Sequence, residues 1–342
     1  MRRWPANRPR LARRALTMSE TGRAFEVAVV ISLYDKAPFI ADTLASVLAQ
    51  SHPPREIIVV DDQSTDGGAE IVEVLAASHP EAPIRLIRQP NAGPGPARNR
   101  GAEEAAASWI ALLDGDDLWG PDHLATLSEV AGAFPQADVV ATHFMKGLRA
   151  AGPKALDQAV ERPAPRLIDY FAESAPDSRL CTSVTAIRRR VFLEIGGFGS
   201  FFPGEDIELW VRLALDHVIA VSDGRTTYYV METGGLMDRS TLVGDEGILQ
   251  PVYATLDRAL ADRGLASRHP KIRSYRATLL RQTVRQALYR CDTIAARKFL
   301  DGADIGREWE SVFLKILADL PAPLLRAGMM LRNQTRRALW LF

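Results

Sequence analysis

Continuous apolar runs separated by segments of helical periodicity restrict the fold of this chain more than any other feature. The runs at residues 27–31, 57–60 and 109–113 are apolar throughout, which is typical of a strand buried on both faces of a parallel sheet. The helical spacing between the runs indicates right-handed βαβ units, so we predict an open α/β sheet flanked by helices. The predicted strands cover residues 27–31, 57–60, 84–87 and 109–113, and the predicted helices cover residues 38–50, 69–77 and 97–107.

The second half of the chain has a less regular pattern of strands and helices and ends in a region of helical periodicity. We predict an α/β domain over residues 25–236 and a C-terminal helical region over residues 237–342. Residues 1–24 carry six arginines before the first acidic residue, Glu20, and we expect them to form a disordered basic tail. Two alternatives are an arm that binds a membrane surface and a start codon assigned too early, since Met18 is available as a later start. In the middle region the predicted strands cover residues 139–142, 183–187, 218–221 and 226–230, and one predicted helix covers residues 207–215.

Composition excludes several classes of protein. The 42 Lys and Arg residues balance 42 Asp and Glu residues, so the chain lacks the basic field that a nucleic-acid partner requires. Two cysteines, Cys181 and Cys291, are too few for a disulfide framework or a Cys-rich zinc site, which indicates a reducing, cytoplasmic compartment. The apolar runs fall short of the roughly 20 residues of a membrane span, and we expect no secretory signal.

Acidic residues collect where two predicted strands end. Asp61 and Asp62 follow the second strand, and Asp114, Asp116 and Asp117 follow the fourth. Because ligands bind outside the carboxyl ends of the strands in open α/β sheets, we expect both clusters to face one crevice. Closely spaced carboxylates repel one another without a cation, and an oxygen-only ligand set favours Mg²⁺ or Mn²⁺ over zinc. The alternative is a set of turn-forming or helix-capping aspartates, which we prefer for the first cluster only.

A segment rich in glycine and proline at residues 91–101 provides a second candidate site. We expect a helix to begin at Ala97, with an N-terminus that attracts anions and with Arg98 and Arg100 adding positive charge. The segment is not a dinucleotide fingerprint, because the third glycine is missing and it follows the third strand rather than the first. The sequence Gly-Lys-Ser/Thr does not occur in the chain, so a P-loop is excluded.

Glu205 and Asp206 form a third candidate site, directly before a predicted amphipathic helix that contains Trp210. Taken alone, Asp206 is typical of a helix cap and Trp210 of a core residue. The aromatic, glycine-rich residues 196–204 precede them, and we expect these residues to form a mobile loop that closes over a bound sugar.

Taken together, these motifs resemble glycosyltransferase family 2, whose members have the GT-A fold, an open mixed sheet flanked by helices. The resemblance spans about residues 26–232, and several separate motifs occur in the order and spacing of the family. The matching segments are residues 29–35, 44–51, 56–66, 91–101, 110–117, 187–198 and 205–212.

The resemblance implies a nucleotide-sugar donor such as a UDP-sugar, a Mn²⁺ or Mg²⁺ ion, and inversion at the anomeric carbon. It also implies that the donor lies against the ends of the first strands, and that the acceptor lies against the third candidate site. On this basis the donor-binding residues are Ser32, Asp62, Arg98, Asp114 and Asp116, the metal ligands are Asp116 and Asp117, the catalytic base is Asp206, and Glu205 and Trp210 lie on the acceptor side.

One family feature is missing, and two alternatives remain. Family members often carry a histidine after the closing strands, but residues 228–235 contain none, so we name no third protein ligand for the metal. A sugar nucleotidyltransferase would need a basic, glycine-rich loop after the first strand, where this chain has residues 32–37. An inactive nucleotide-sugar-binding module is the other alternative, and the intact Asp116 and Asp206 argue against it.

The sugar and the acceptor stay open at the level of sequence, and we expect a glycan or a lipid-linked acceptor. Residues 321–342 mix arginines with apolar residues and contain no acidic residue, which is typical of an interfacial membrane helix or of a final helix packed on the domain. On the membrane hypothesis the protein is cytoplasmic and peripheral on the inner face of the cell membrane.

Overall fold

The computed structural model describes residues 25–158, 163–174, 179–231, 249–289, 291–300, 309–319 and 321. The predicted basic tail and the mixed basic and apolar C-terminal segment therefore lie outside the described residues. Among the helices in the described ranges, none is long and apolar enough to cross a membrane.

Nine strands in the described part of the chain form one mixed sheet. They are β1 (Val27–Leu33), β2 (Glu56–Asp61), β3 (Ile84–Arg88), β4 (Trp109–Asp114), β5 (Leu118–Trp119), β6 (Val139–Leu148), β7 (Arg166–Leu167), β8 (Thr185–Arg188) and β9 (Ile219–Met231). Their order across the sheet is β3-β2-β1-β4-β8-β6-β9-β5, and β7 also pairs with β9. The strands β1 to β4 pair with one another in parallel, whereas β8 runs antiparallel to both β4 and β6. The predicted α/β class is confirmed.

Helices cover both faces of this sheet. The α-helices of the described ranges are α1 (Ala37–Leu48), α2 (Gly68–Ser78), α3 (Pro94–Glu104), α4 (His123–Ala133), α5 (Gly152–Gln158), α6 (Tyr170–Glu173), α7 (Arg189–Glu194), α8 (Glu205–Asp216), α9 (Gln250–Ala261), α10 (Arg263–Arg268), α11 (Ile272–Tyr289), α12 (Thr293–Leu300) and α13 (Trp309–Asp319). Along β1, Val27, Val29 and Ile31 face one core, while Ala28 and Val30 face the other. Burial on both faces is what the continuous apolar runs predict.

Helix α3 begins three residues earlier than predicted, at Pro94 rather than at Ala97. The first four N–H groups of a helix have no partner inside the helix, so Pro94 and Pro96 cost no hydrogen bond there. Gly93, with a φ of 95°, supplies the left-handed turn that starts the helix.

The two closing strands predicted at residues 218–221 and 226–230 are a single strand, β9. It pairs with β6 along nearly the whole length of both strands, with register shifts on either side of His143. Pairing with the long strand β6 therefore keeps the residues between the two predicted strands, residues 222–225, in an extended conformation. The two-residue strand β5, which the sequence did not predict, also depends on pairing with β9.

The predicted C-terminal helical region is present, and it shares a core with the α/β domain. Leu256 of α9 and Tyr275 of α11 belong to the same cluster of buried residues as Trp210 of α8. A polar contact adds to this packing, because Oγ1 of Thr255 donates to Oε1 of Glu208 at 3.1 Å. The predicted boundary between the two regions therefore does not separate two hydrophobic cores.

Candidate active site

The register of the sheet brings the two acidic clusters to one edge. Strand β1 pairs with β2 and β4, so Leu33 lies opposite Asp61 and Ser32 lies opposite Asp114. The N–H group of Gly115 donates to the carbonyl oxygen of Ser32 at 3.2 Å, which places the turn after β4 against the end of β1. The clusters therefore meet at the carboxyl ends of the parallel strands, where ligands of open α/β sheets bind.

Asp114 is held by two partners at this edge. Its Oδ1 accepts a hydrogen bond from Nη2 of Arg98 at 2.6 Å, and its Oδ2 accepts one from Oγ1 of Thr182 at 2.9 Å. Burial by itself raises the pKa of Asp114, but the charge and hydrogen bond of Arg98 outweigh burial and lower the pKa. Asp114 is therefore a fixed, ionised carboxylate.

Arg98, on the second turn of α3, joins Asp114 to the third candidate site. Its Nη1 donates to Oε1 of Glu205 at 3.2 Å, and its guanidinium carbon lies 5.2 Å from the ring centroid of Phe198. Burial lowers the pKa of Arg98, but the charges of Asp114 and Glu205 outweigh burial, so the pKa rises. With only 6% of its surface exposed, Arg98 is a buried cation that links two carboxylates.

Asp116 faces a cation that the chain itself supplies. Its Oδ2 accepts a close hydrogen bond from Nζ of Lys36, three residues beyond β1. The side chains of Lys36 and Asp116 are 15% and 16% exposed, so the pair remains in contact with solvent.

Asp117 points away from Asp116. One of its carboxylate oxygens accepts from Oγ of Ser183 at 2.5 Å, and the other accepts from the N–H group of Val230 at 3.1 Å. Asp117 is 1% exposed, and burial, together with the charges of Asp114 and Asp116, raises its pKa well above the usual range. Both oxygens of Asp117 are thus engaged inside the protein, and its role as a metal ligand stays a prediction.

Asp62 organises the segment that leads into α3. Its Oδ1 accepts from the N–H group of Ala92 at 2.9 Å and from Nε2 of Gln89 at 2.8 Å, and its Oδ2 accepts from the N–H group of Gly93 at 2.7 Å. The residue is 3% exposed. These contacts are those of a residue that fixes a loop, and contact between Asp62 and a nucleotide base stays a prediction.

Glu205 and Asp206 occupy the first turn of α8, which starts after Gly204 with a φ of 97°. Burial raises the pKa of Glu205 to about 7, and the negative charge of Asp206 adds to the effect. Burial also raises the pKa of Asp206, whose Oδ1 accepts from the N–H group of Ile207 at 2.7 Å. Two adjacent carboxyl groups with raised pKa values are suited to accept a proton near neutral pH.

Trp210 does not lie on the acceptor side. It is fully buried, and its ring centroid lies 6.2 Å from that of Phe198 inside the hydrophobic core. One turn beyond Asp206, helix α8 has already entered the core. The prediction that Trp210 contacts an acceptor is therefore wrong, because neither face of its ring is accessible.

The segment at residues 196–204 is tied to α3, in contrast to the mobile loop that the sequence predicts. Nδ2 of Asn99 donates to the carbonyl oxygen of Phe198 at 2.9 Å, and Oδ1 of Asn99 accepts from the N–H group of Phe198 at 2.8 Å. A Cβ atom on Gly95 would lie 2.8 Å from the carbonyl oxygen of Gly199. The close packing of α3 against this segment fixes the point at which α8 begins.

A pocket of about 360 Å³ lies in front of these carboxylates. One side carries Arg98, Asp114, Glu205 and Asp206. The opposite side comes from the C-terminal helices and includes Leu279, Gln282, Thr283, Gln286 and Phe299. Sequence reasoning missed this second wall. The spacing of the α11 residues indicates one shared helix face, but spacing does not identify what that face contacts.

The described residues contain no group of three or more His, Cys, Asp or Glu side chains arranged to hold a metal ion. Asp116 nevertheless fits a divalent cation, because its carboxylate lies at the crevice and is solvent-accessible. Mg²⁺ is commonly held by one or two carboxylates, with substrate phosphates supplying further oxygens. Asp116, with Asp114 close to it in the same turn, meets that requirement.

Comparison with known proteins identifies the family. Residues 28–196 match the family model described as Glycosyl transferase family 2. The chain carries a family 2 glycosyltransferase domain. The family model covers Ser32, Asp62, Arg98 and the acidic turn after β4, whereas the carboxylate pair at the start of α8 follows the matched residues.

Two curated relatives match only part of this chain. An uncharacterised glycosyltransferase of Nostoc sp. is 37% identical over 147 residues, which are 43% of this chain and 44% of the relative. The succinoglycan biosynthesis protein ExoW of Rhizobium meliloti is 43% identical over 102 residues, which are 29% of this chain and 32% of the relative. The match thus spans less than half the length of either relative.

Two solved structures resemble this chain over most of its length. Residues 1–349 of S. aureus TarS in complex with UDP-GlcNAc give a TM-score of 0.67 at 16% identity, covering 93% of both chains. The mannosyltransferase PcManGT from Pyrobaculum calidifontis, in complex with GDP-Man and Mn²⁺, gives a TM-score of 0.55 at 19% identity, covering 91% of this chain and 81% of that one. At these identities the likeness establishes the fold, and the predicted GT-A fold is confirmed.

Proposed function

We propose that this protein is an inverting, metal-dependent glycosyltransferase that moves a sugar from a nucleoside diphosphate sugar to a hydroxyl group of an acceptor. The observation that carries the proposal is the buried link from Asp114 through Arg98 to Glu205. The link holds a carboxylate at the sheet edge and the carboxylate pair of α8 on one side of a single pocket. The donor then binds at the sheet edge, and the acceptor binds in front of α8.

The donor side is suited to a nucleotide. Asp62 shapes the segment that ends at the N-terminus of α3, and a helix N-terminus favours the negative charge of a diphosphate. Asp114 is ionised at neutral pH and accepts hydrogen bonds from ribose or sugar hydroxyls. Ser32 lies beside it on the neighbouring strand. Because Arg98 is buried between two carboxylates, we assign it to positioning those groups rather than to holding the base or the diphosphate.

Asp116 is the proposed ligand of a Mn²⁺ or Mg²⁺ ion. When bound, the metal supplies positive charge that neutralises the charge developing on the departing diphosphate. The complex of PcManGT with GDP-Man and Mn²⁺ supports the use of a divalent ion. Asp117 has no place in this proposal, since its oxygens accept hydrogen bonds from Ser183 and Val230.

Asp206 is the proposed catalytic base. The acceptor hydroxyl gives its proton to a carboxylate oxygen of Asp206 as the acceptor oxygen bonds to the anomeric carbon. The bond from that carbon to the diphosphate breaks on the opposite side, and the diphosphate leaves with the bonding electrons. This in-line displacement inverts the anomeric configuration without a covalent nucleophile. Burial raises the pKa of Asp206, which makes it a stronger base than an exposed aspartate.

A UDP-sugar and a glycan are the proposed substrate classes, in polysaccharide or glycolipid synthesis. The complex of TarS with UDP-GlcNAc supports the donor, and the name of ExoW supports polysaccharide synthesis. The α11 wall places the amides of Gln282 and Gln286 and the apolar Leu279 across the pocket from the carboxylates. Such a mixture suits the hydroxyl edges and the apolar faces of a sugar ring.

A thermal-shift screen of nucleotide sugars with Mn²⁺ tests this function. A donor at about 100 times its Kd adds about 2.7 kcal/mol to the free energy of unfolding. The best donor is then incubated with mono- and disaccharide acceptors, and NMR reports the anomeric configuration of the product. Failure of every nucleotide sugar, and of UDP with Mn²⁺, to stabilise the protein would contradict the proposal. A product that retains the configuration would contradict the inverting mechanism.

A further inference from the structure

The turns that follow β1 and β4 meet through one ion pair. Nζ of Lys36 donates to Oδ2 of Asp116, across neighbouring strands whose ends are in register at Ser32 and Asp114. Asp114 is already paired with Arg98, and Lys36 is the cation that pairs with Asp116. The pair thus neutralises the carboxylate that the proposed function assigns to the metal.

The backbone on both sides of Lys36 is fixed. The N–H group of Asp35 donates to Oγ of Ser64 at 3.1 Å, and the N–H group of Ala37 donates to Oδ2 of Asp66 at 2.7 Å. The carbonyl oxygen of Lys36 accepts the first hydrogen bonds of α1. Motion of the ammonium group is therefore confined to the four side-chain torsions of a flexible lysine stem.

We propose that Lys36 is the resident counter-ion of Asp116, and that a divalent cation displaces it when the nucleoside diphosphate binds. The inference rests on the proposed function, because it assigns a role to Lys36 toward the same donor and metal. A cation that occupies Asp116 repels the ammonium group, and the diphosphate offers that group new oxygen partners. Lys36 then exchanges one anionic partner for another.

This exchange has a thermodynamic consequence. The metal alone binds weakly, because it has to break the ion pair without a new partner for Lys36. The diphosphate removes that penalty, so metal and diphosphate each raise the affinity for the other by the same factor. Lys36 makes donor binding and metal binding a coupled event at this site.

The chain offers a matched control in Arg149. Its guanidinium carbon lies 5.1 Å from the ring centroid of Phe39, and Nζ of Lys36 lies 5.8 Å from the same centroid. Arg149 pairs with Asp42 rather than with Asp116. Removing Arg149 therefore deletes one positive charge from the same neighbourhood and leaves the proposed exchange intact.

The experiment measures the affinity for Mn²⁺ alone by electron paramagnetic resonance, and the affinity for UDP with and without Mn²⁺ by calorimetry. We expect Lys36→Met to bind Mn²⁺ alone about fivefold more tightly than the wild type. We expect the enhancement of UDP affinity by Mn²⁺ to fall by a similar factor, since phosphate oxygens on the metal keep the rest of it. We expect Arg149→Met to match the wild type in both measurements. If Lys36→Met does not fold, Lys36→Gln takes its place.

The outcomes separate this inference from the proposed function. Wild-type Mn²⁺ affinity in the Lys36 variant, or unchanged coupling between Mn²⁺ and UDP, overturns the role of Lys36 while the metal-dependent donor site stands. If Arg149→Met has an equal effect, the effect of Lys36→Met comes from the loss of any nearby positive charge, and the inference is overturned as well. If the wild type binds neither Mn²⁺ nor UDP, the proposed function fails together with it.

Discussion

Arg98 on α3 and Glu205 on α8 are 107 residues apart in the chain, yet Nη1 of Arg98 lies 3.2 Å from Oε1 of Glu205. The same guanidinium contacts Asp114 at 2.6 Å. Because a guanidinium is planar and rigid, it sets the separation between the two carboxylates. The distance between the proposed donor and acceptor sides thus depends on one buried side chain.

Replacing Arg98 with lysine tests this positioning role. A lysine keeps the charge but replaces the rigid fork with a single ammonium group, so we expect kcat to fall by about 100-fold while UDP affinity changes little. We also expect the acidic limb of the pH–rate profile to move upward, because the proposed base Asp206 loses part of the nearby positive charge that lowers its pKa. Arg100→Lys, on the exposed side of the same helix, is the control. Unchanged kinetics and an unchanged pH profile in Arg98→Lys would contradict the assignment.

The variant Asp206→Asn tests the catalytic base. The amide cannot accept the acceptor proton, so we expect the transfer rate to fall by about 10²- to 10⁴-fold while donor affinity is retained. The control is Asp216→Asn at the exposed end of the same helix, which should transfer sugar at the wild-type rate. If Asp206→Asn transfers sugar within a few-fold of the wild type, Asp206 only shapes the start of α8.

The variant Asp116→Ala tests the metal ligand. It removes a carboxylate from the crevice without opening a cavity in the core, so we expect a normal melting temperature and loss of the effect of Mn²⁺ on UDP binding. Calorimetry with and without Mn²⁺ measures that effect. Asp42→Ala, which removes an exposed carboxylate from a comparable ion pair, should leave it unchanged. Retained Mn²⁺ dependence in Asp116→Ala would remove this residue from the site.

The raised pKa of Glu205 predicts how stability depends on pH. The folded protein holds the proton of Glu205 up to about pH 7, whereas the unfolded chain releases it near 4.5, so this contribution to stability is present below pH 4.5 and is lost as the pH rises toward 7. Because glutamine does not titrate, the stability of Glu205→Gln does not fall in this pH range for this reason. Its melting temperature relative to the wild type should therefore rise between pH 4.5 and 7 and then level off. Glu103→Gln, at an exposed residue of α3, is the control variant, and a flat difference for Glu205→Gln would contradict the predicted titration.

Two glycines in helices test the packing of α3 on the sheet. A Cβ atom on Gly101 would overlap Cγ1 of Val30 in β1, so Gly101→Ala should lower the free energy of unfolding by about 1–3 kcal/mol. Gly132 in α4 has open space around it, and Gly132→Ala should be neutral or stabilise the protein by about 0.5–1 kcal/mol. Chemical denaturation measures both changes. Equal effects of the two variants would contradict the close approach of α3 to β1.

The sequence by itself determined the parallel strands β1 to β4 and the edge of the sheet at which the acidic clusters meet. A run such as residues 27–31 is apolar at every position, and only a strand covered on both faces buries all of it. Chain order and the handedness of βαβ units then bring the residues after β2 and β4 to one edge. The candidate roles of Asp114, Asp116 and Asp206 came from the resemblance to the family, and they stay predictions.

Tertiary structure alone decided which way individual side chains point. Asp116 and Asp117 are adjacent, but one meets Lys36 at the crevice and the other accepts hydrogen bonds from Ser183 and Val230 in the interior. Trp210 follows the carboxylates of α8 by one turn and is nevertheless buried. No local sequence pattern predicts whether these side chains face the crevice or the interior, because each orientation depends on which distant element packs against the residue.

The sequence also did not predict the second wall of the pocket, which the C-terminal helices contribute. The spacing of Leu279, Gln282 and Gln286 indicates one face of a helix, but the partner of that face is set by the packing of α11 against α6, α9 and the sheet core. Arg98 and Glu205 meet for the same reason, since a contact across 107 residues depends on the whole fold. Local sequence determines periodicity and chemistry, whereas long-range packing determines which chemical groups come together.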